Sequence, residues 1–109
     1  MPGNIDIAGG VDLHSHVGPS PFDRRVDGYD YASEAAAAGM DAVVMKEHYL
    51  PTVYGVEYID RLLDAHDEAI EVVGSVALNY CNGGFNPFAV QTAIDYGAGV
   101  VWAPTIDAQ

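Results

Sequence analysis

Positive charge is scarce in this chain. Four Lys and Arg stand against sixteen Asp and Glu, a formal net charge of −12. Phosphate backbones need a basic patch, so a nucleic-acid partner is disfavoured. Anionic lipid surfaces are disfavoured for the same reason. The acidity fits plain solubility or a surface adapted to high salt. Cysteine is nearly absent: Cys81 stands alone. That excludes an internal disulfide and suggests a reducing compartment, hence a cytoplasmic protein. No apolar run reaches the roughly 18 residues that a membrane span takes. Met1 to Gly10 lacks the basic start and apolar stretch of a secretory signal. Against this background the positions of Arg24, Arg25 and the single lysine, Lys46, carry unusual information.

What is present is apolar. Half of the 109 residues are hydrophobic, enough for one folded domain spanning residues 1–109. Short β-branched runs alternate with helix-like segments. Val11 to His14 reads as a first strand, which Ile5 to Ile7 extends or precedes. Asp27 caps a helix over Gly28 to Ala38, and Gly39 stops it. Ala42 to Met45 is a second strand. Pro51-Thr52 opens a helix to about Ala69, with Val53, Val56, Ile59, Leu63 and Ile70 at three-to-four spacing. Val72 to Leu78 is a third strand. Asn86-Pro87 starts a helix that runs to about Tyr96. Val100 to Ala103 is a fourth strand. One helix between successive strands predicts βαβ units and a parallel sheet.

Ligands of parallel α/β folds bind beyond the carboxyl ends of the strands, and the polar residues gather there. His14 and His16 end the first strand, Lys46 and His48 the second, Asn79 the third, Thr105 and Asp107 the fourth. Strand side chains alternate faces, so His14 and His16 point one way with Cα atoms roughly 6–7 Å apart. Two imidazoles at that spacing can share one divalent metal. The plain alternative is a pair of structural histidines satisfied by backbone groups.

The run Val11-Asp12-Leu13-His14-Ser15-His16 resembles the first-strand motif of the metal-dependent amidohydrolase superfamily. It also resembles the opening of the PHP phosphoesterases. Gly39 to His48 resembles the second-strand segment of both. Leu78-Asn79 through Pro87, and Val101 to Asp107, look closest to an uncharacterised amidohydrolase-like family. The resemblance implies the N-terminal half of a TIM-barrel-like (β/α)8 fold, with about four parallel strands alternating with helices. It implies a metal-dependent hydrolase that cleaves C–N or ester bonds with metal-activated water. A PHP-type phosphoesterase and a non-catalytic metal-binding or assembly fragment are the alternatives. Two departures stand out: amidohydrolases carry their bridging lysine on the fourth strand, whereas Lys46 is on the second, and the PHP third-strand glutamate has no counterpart near Ala77 to Asn79. An eight-stranded barrel takes about 250 residues, so the chain reads as partial. Its first and fourth strands become open edges, inviting a second copy or a missing C-terminal half.

The expected metal ligands are His14, His16 and His48, holding one or two zinc or manganese ions. The expected catalytic groups are His48, Lys46 and Asp107. Arg24 and Arg25, in the loop after the first strand, can clamp an anionic small-molecule substrate. Each has a surface salt bridge as its plain alternative. Asn79 and Thr105 can orient substrate. Asp12 is expected to support the histidines as a hydrogen-bond acceptor, and Glu47 to be solvated. His66, Cys81 and Trp102 are given no chemistry, Trp102 being core or pocket wall.

Overall fold

A computed structural model describes residues 5–108. Five short strands and three helices alternate: β1 Val11–Ser15, α1 Gly28–Ala37, β2 Ala42–Met45, α2 Val53–Ala65, β3 Glu71–Val73, β4 Ser75–Ala77, α3 Pro87–Asp95 and β5 Val100–Trp102. A short 3₁₀ turn, Tyr80–Asn82, follows β4. Every strand pairing is parallel. β1 lies beside β2 and β2 beside β3, while β4 pairs with β5. The chain is thus mixed α/β with parallel strands, as the alternation predicts.

The helices begin where their caps dictate. The Asp27 side chain accepts from Asp30 N and starts α1. Asn86 accepts from Phe88 N and starts α3, with Pro87 at its first position. β2 is buried along its whole length. Val43 and Met45 on one face of β2 pack with Val17, Ala32, Ala35, Leu63 and Val72 to form the core under α1 and α2.

Three expectations are corrected. The run Val72 to Leu78 is not one strand: it breaks at Gly74 into β3 and β4. A side chain there would put a Cβ 2.9 Å from Val53 Cα, so α2 starts directly on this glycine. Thr52 completes the break. Its hydroxyl donates to Met45 O at 2.8 Å and accepts from Ser75 N at 2.9 Å. The helix α2 ends at Ala65 and not near Ala69, because Asp67 turns to a positive φ of 53° and Glu68 N closes back on Leu63 O. Ile5 to Ile7 forms no strand and is exposed.

One irregularity sits at the motif. Asp12 pairs with Val43 but Ser15 pairs with Met45, so β1 carries one residue more than β2 in that interval. His14 lies in this bulge. Its N–H goes to Asp12 Oδ1 at 3.0 Å.

Candidate metal and anion site at the strand ends

The bulge and the strand alternation bring His14 and His16 together. Their Nε2 atoms are 2.9 Å apart and their ring centroids 4.8 Å. His48, just past β2, stacks on His16 at 4.8 Å between centroids. Its Nδ1 lies 2.8 Å from Thr105 Oγ1. On the other side His14 meets Trp102 of β5, centroid to centroid 5.0 Å. The Lys46 ammonium sits over the same indole ring, 4.7 Å from its centroid. Residues from β1, β2 and β5 and the segments following them therefore form one cluster.

The loop from Val17 to Asp27 leans over this cluster. It is pinched at its base, where Gly18 N donates to Val26 O and Gly28 N to Gly18 O. At its tip Phe22 meets the His48 ring edge-on at 5.9 Å, and the Arg24 guanidinium lies 5.2 Å over Phe22. Arg24 is thereby brought to the site. Arg25 is exposed, and among the described residues no contact ties it there.

Two other expected residues have different work. Asn79 is fully buried and all its hydrogen-bonding capacity is used within the protein. Its amide donates to His48 O and Thr105 Oγ1, and its carbonyl accepts from Thr105 N and Asp107 N. It has nothing left for a substrate and instead positions His48 and Thr105. Asp107 accepts from Tyr80 N. It lines a separate cavity of about 430 Å³ with Leu78, Tyr80, Phe85 and Pro104, which no histidine lines.

Glu47 corrects the expectation of solvation: it is only 7 % exposed. The chain turns immediately after β2, and Glu47 Oε1 accepts from His48 N at 2.8 Å. Asp12 supports the pair as expected, accepting from His14 N and from the Tyr31 hydroxyl. Tyr31 and Phe22 went unread in the sequence, since a helix tyrosine and a loop phenylalanine look like ordinary packing. His66 and Cys81 stay out of the cluster. His66 Nδ1 pairs with Leu62 O on α2, and Cys81 is exposed.

The electrostatics follow from the crowding. Burial lowers the His16 pKa below 6.5, with the charges of His48, Arg24, His14 and Lys46 adding to the effect. Burial likewise lowers His48, reinforced by Lys46 and partly opposed by Glu47. Desolvation also pulls Lys46 below the usual lysine value. Neutral imidazoles are the form that a metal needs.

The spacing of the pair can be set against that of two nitrogens on one divalent ion. At zinc–nitrogen distances of about 2.0–2.1 Å, nitrogens in a tetrahedral pair stand roughly 3.4 Å apart. The observed 2.9 Å is about half an ångström shorter, the distance of an N–H···N hydrogen bond in the free pair. His16 Nδ1 is buried without a partner. Among the described residues, no three His, Cys, Asp or Glu side chains form a group that could hold a metal ion, the expected trio His14, His16 and His48 included. What is in place is the His14–His16 pair, with the His48 ring stacked on His16.

Residues 9–109 match a family of unknown function, DUF6282, and the chain belongs to it. No curated protein and no solved structure matches the sequence.

Proposed function

We propose that this member of the family of unknown function is a metal-dependent hydrolase of the amidohydrolase-like kind, its parallel strands forming part of the wall of a TIM-like barrel. One observation carries the reading: the His14 and His16 Nε2 atoms lie 2.9 Å apart at the end of β1, with His48 stacked on His16. His14 and His16 would hold a zinc or manganese ion, and His48 would complete the coordination or move a proton. The ion, when bound, supplies an acidified water and polarises a carbonyl or phosphoryl oxygen.

The chain's own part is proton handling and orientation. In the tautomer that carries its proton on Nδ1, His48 donates to Thr105 Oγ1, which leaves Nε2 free to take up a proton and keeps the same bond in the imidazolium. Its lowered pKa leaves it a free base at neutral pH. Phe22 and Arg24 stand over the His48 side of the site. The exposed free Cys81 is compatible with a cytoplasmic setting.

Calorimetric titration with Zn²⁺ and Mn²⁺ tests the reading. The unsubstituted chain should bind and the His14→Ala/His16→Ala variant should not. Equal affinity in both removes the metal site. Turnover of an activated carboxyl ester, lactone or amide supports the amidohydrolase reading. Turnover of a phosphomonoester alone favours the phosphoesterase alternative.

A further inference from the structure

The cluster holds more hydrogen-bond donors and positive charge than its own acceptors can satisfy. Lys46 is only 4 % exposed, and its ammonium faces the Trp102 ring instead of a carboxylate. Among the described residues, three buried nitrogens here lack a partner: Arg24 Nε, Trp102 Nε1 and His16 Nδ1. The one buried side-chain oxygen without a partner is Glu47 Oε2. With Asp12 engaged by His14 N and Tyr31, one unpartnered carboxylate oxygen thus stands against two cations and an indole N–H, in a chain where acids outnumber bases four to one.

Burying an ammonium or leaving a guanidinium N–H unpaired is unfavourable unless something answers it. A chain with sixteen acidic residues had ample means to place a second carboxylate beside Lys46. Lys46 and Arg24 both lie near enough to His16 and His48 for their charges to act on them, and Trp102 meets His14, so these donors border the histidines where the metal-assisted chemistry is proposed.

We propose that Lys46, Arg24 and the Trp102 N–H form an oxyanion-binding subsite, which anchors a substrate carrying a carboxylate or phosphate beside the histidines. Lys46 supplies a desolvated point charge from the floor. Arg24 closes from the roof and reads the planar edge of the group. Trp102 Nε1 adds a neutral donor that fixes its orientation. As a substrate anchor the subsite rests on the hydrolase reading. As an anion site it stands on its own donors and can be tested without metal.

Trp102 is the only tryptophan, so its fluorescence reports on the subsite directly. The full chain, in EDTA and at constant ionic strength balanced with chloride, is titrated with sodium phosphate and, separately, with sodium acetate. A saturable emission change with either anion is expected, weakened at least tenfold in Lys46→Met and in Arg24→Gln. Circular dichroism checks that both variants fold; Arg24, in a loop, provides the arm that does not disturb the core. No saturable response beyond chloride, or an unaltered response in folded Arg24→Gln, overturns the proposal. The His14→Ala/His16→Ala variant should keep anion binding while losing Zn²⁺, which separates failure of the subsite from failure of the metal reading. The relative affinity for phosphate and acetate distinguishes the two sources of the oxyanion.

Discussion

His14 on the first strand and Trp102 on the last stand with ring centroids 5.0 Å apart. Three flat interstrand steps would separate those strands by about 14 Å, with side chains standing side by side. Ring contact across that interval requires the strands to bend out of one plane, which brings β1 and β5 to one site. Gly74 is where that bend is concentrated, since β3 pairs with β2 before it and β4 with β5 after it.

Substitution at Gly74 should therefore be disruptive. An added Cβ would meet Val53 Cα and Cγ1 at 2.9 Å, and the backbone contact cannot yield by a rotamer change. Gly74→Ala is expected to destabilise by about 1–3 kcal/mol. Gly55 gives the opposite sign: it lies within α2 with open space around it, so Gly55→Ala should stabilise by roughly 0.5–1 kcal/mol. Paired urea unfolding curves measure both, and similar effects at the two positions would contradict the assignment of the bend.

Asn79 joins the end of β4 to both His48 and the segment after β5. Its replacement by alanine leaves His48 O, Thr105 N and Asp107 N without this partner. Each buried group so abandoned costs about 1–3 kcal/mol. Asn79→Ala should lose on the order of 3 kcal/mol or more in denaturant unfolding. Asn79→Asp should not rescue it, because a carboxylate cannot donate to His48 O.

Stability should also fall in mild acid. His16 and His48 are both held below the usual histidine value of 6.5, chiefly by burial. Below that pH the unfolded chain takes up protons that the folded chain resists, so unfolding gains from each step downward. Stability is full above about pH 6.5 and is lost as pH falls toward the folded pKa values. Glu68 is lowered too, by hydrogen bonds from Ser33 and Tyr29, but its loss belongs to the carboxylate range near 4.5. In EDTA, the urea midpoint should drop between pH 7.5 and 5.5, and the drop should shrink in His16→Asn/His48→Asn.

The alternation of strands and helices was legible because it rests on local signals: caps at Asp27 and Asn86 and apolar runs of four residues. The histidine pair was legible for the same reason, since two residues on one strand need no long-range knowledge. Contacts decided by packing at a distance were not. Nothing in the apolar run Val72 to Leu78 reveals that Val53 rests on Gly74. Alternation alone placed Glu47 in solvent, whereas the turn after β2 folds it inward. Arg24 and Arg25 are neighbours of one type, and only the pinched loop decides that Arg24 reaches the site. Asn79 sat at a strand end as a substrate-binding residue would, yet its bonds are all internal.

Tyr31 offers a test of how firmly the histidine pair is held. Its hydroxyl donates to Asp12, whose other oxygen accepts the His14 N–H within the bulge. Burial first, then the Asp12 hydrogen bond and charge, push the Tyr31 pKa up to about 12. In Tyr31→Phe the ultraviolet titration should lose one phenol ionising near that value. Asp12, freed of one bond, holds the bulge less firmly, and the two Nε2 atoms are less well placed for one ion. On the proposed metal reading, Zn²⁺ affinity in Tyr31→Phe should fall, by no more than the roughly 10–100-fold seen when a partner bonded directly to a ligand is removed, while the fold, read by circular dichroism, is kept. An unchanged affinity would mean that the bulge holds His14 in place without the Tyr31–Asp12 bond.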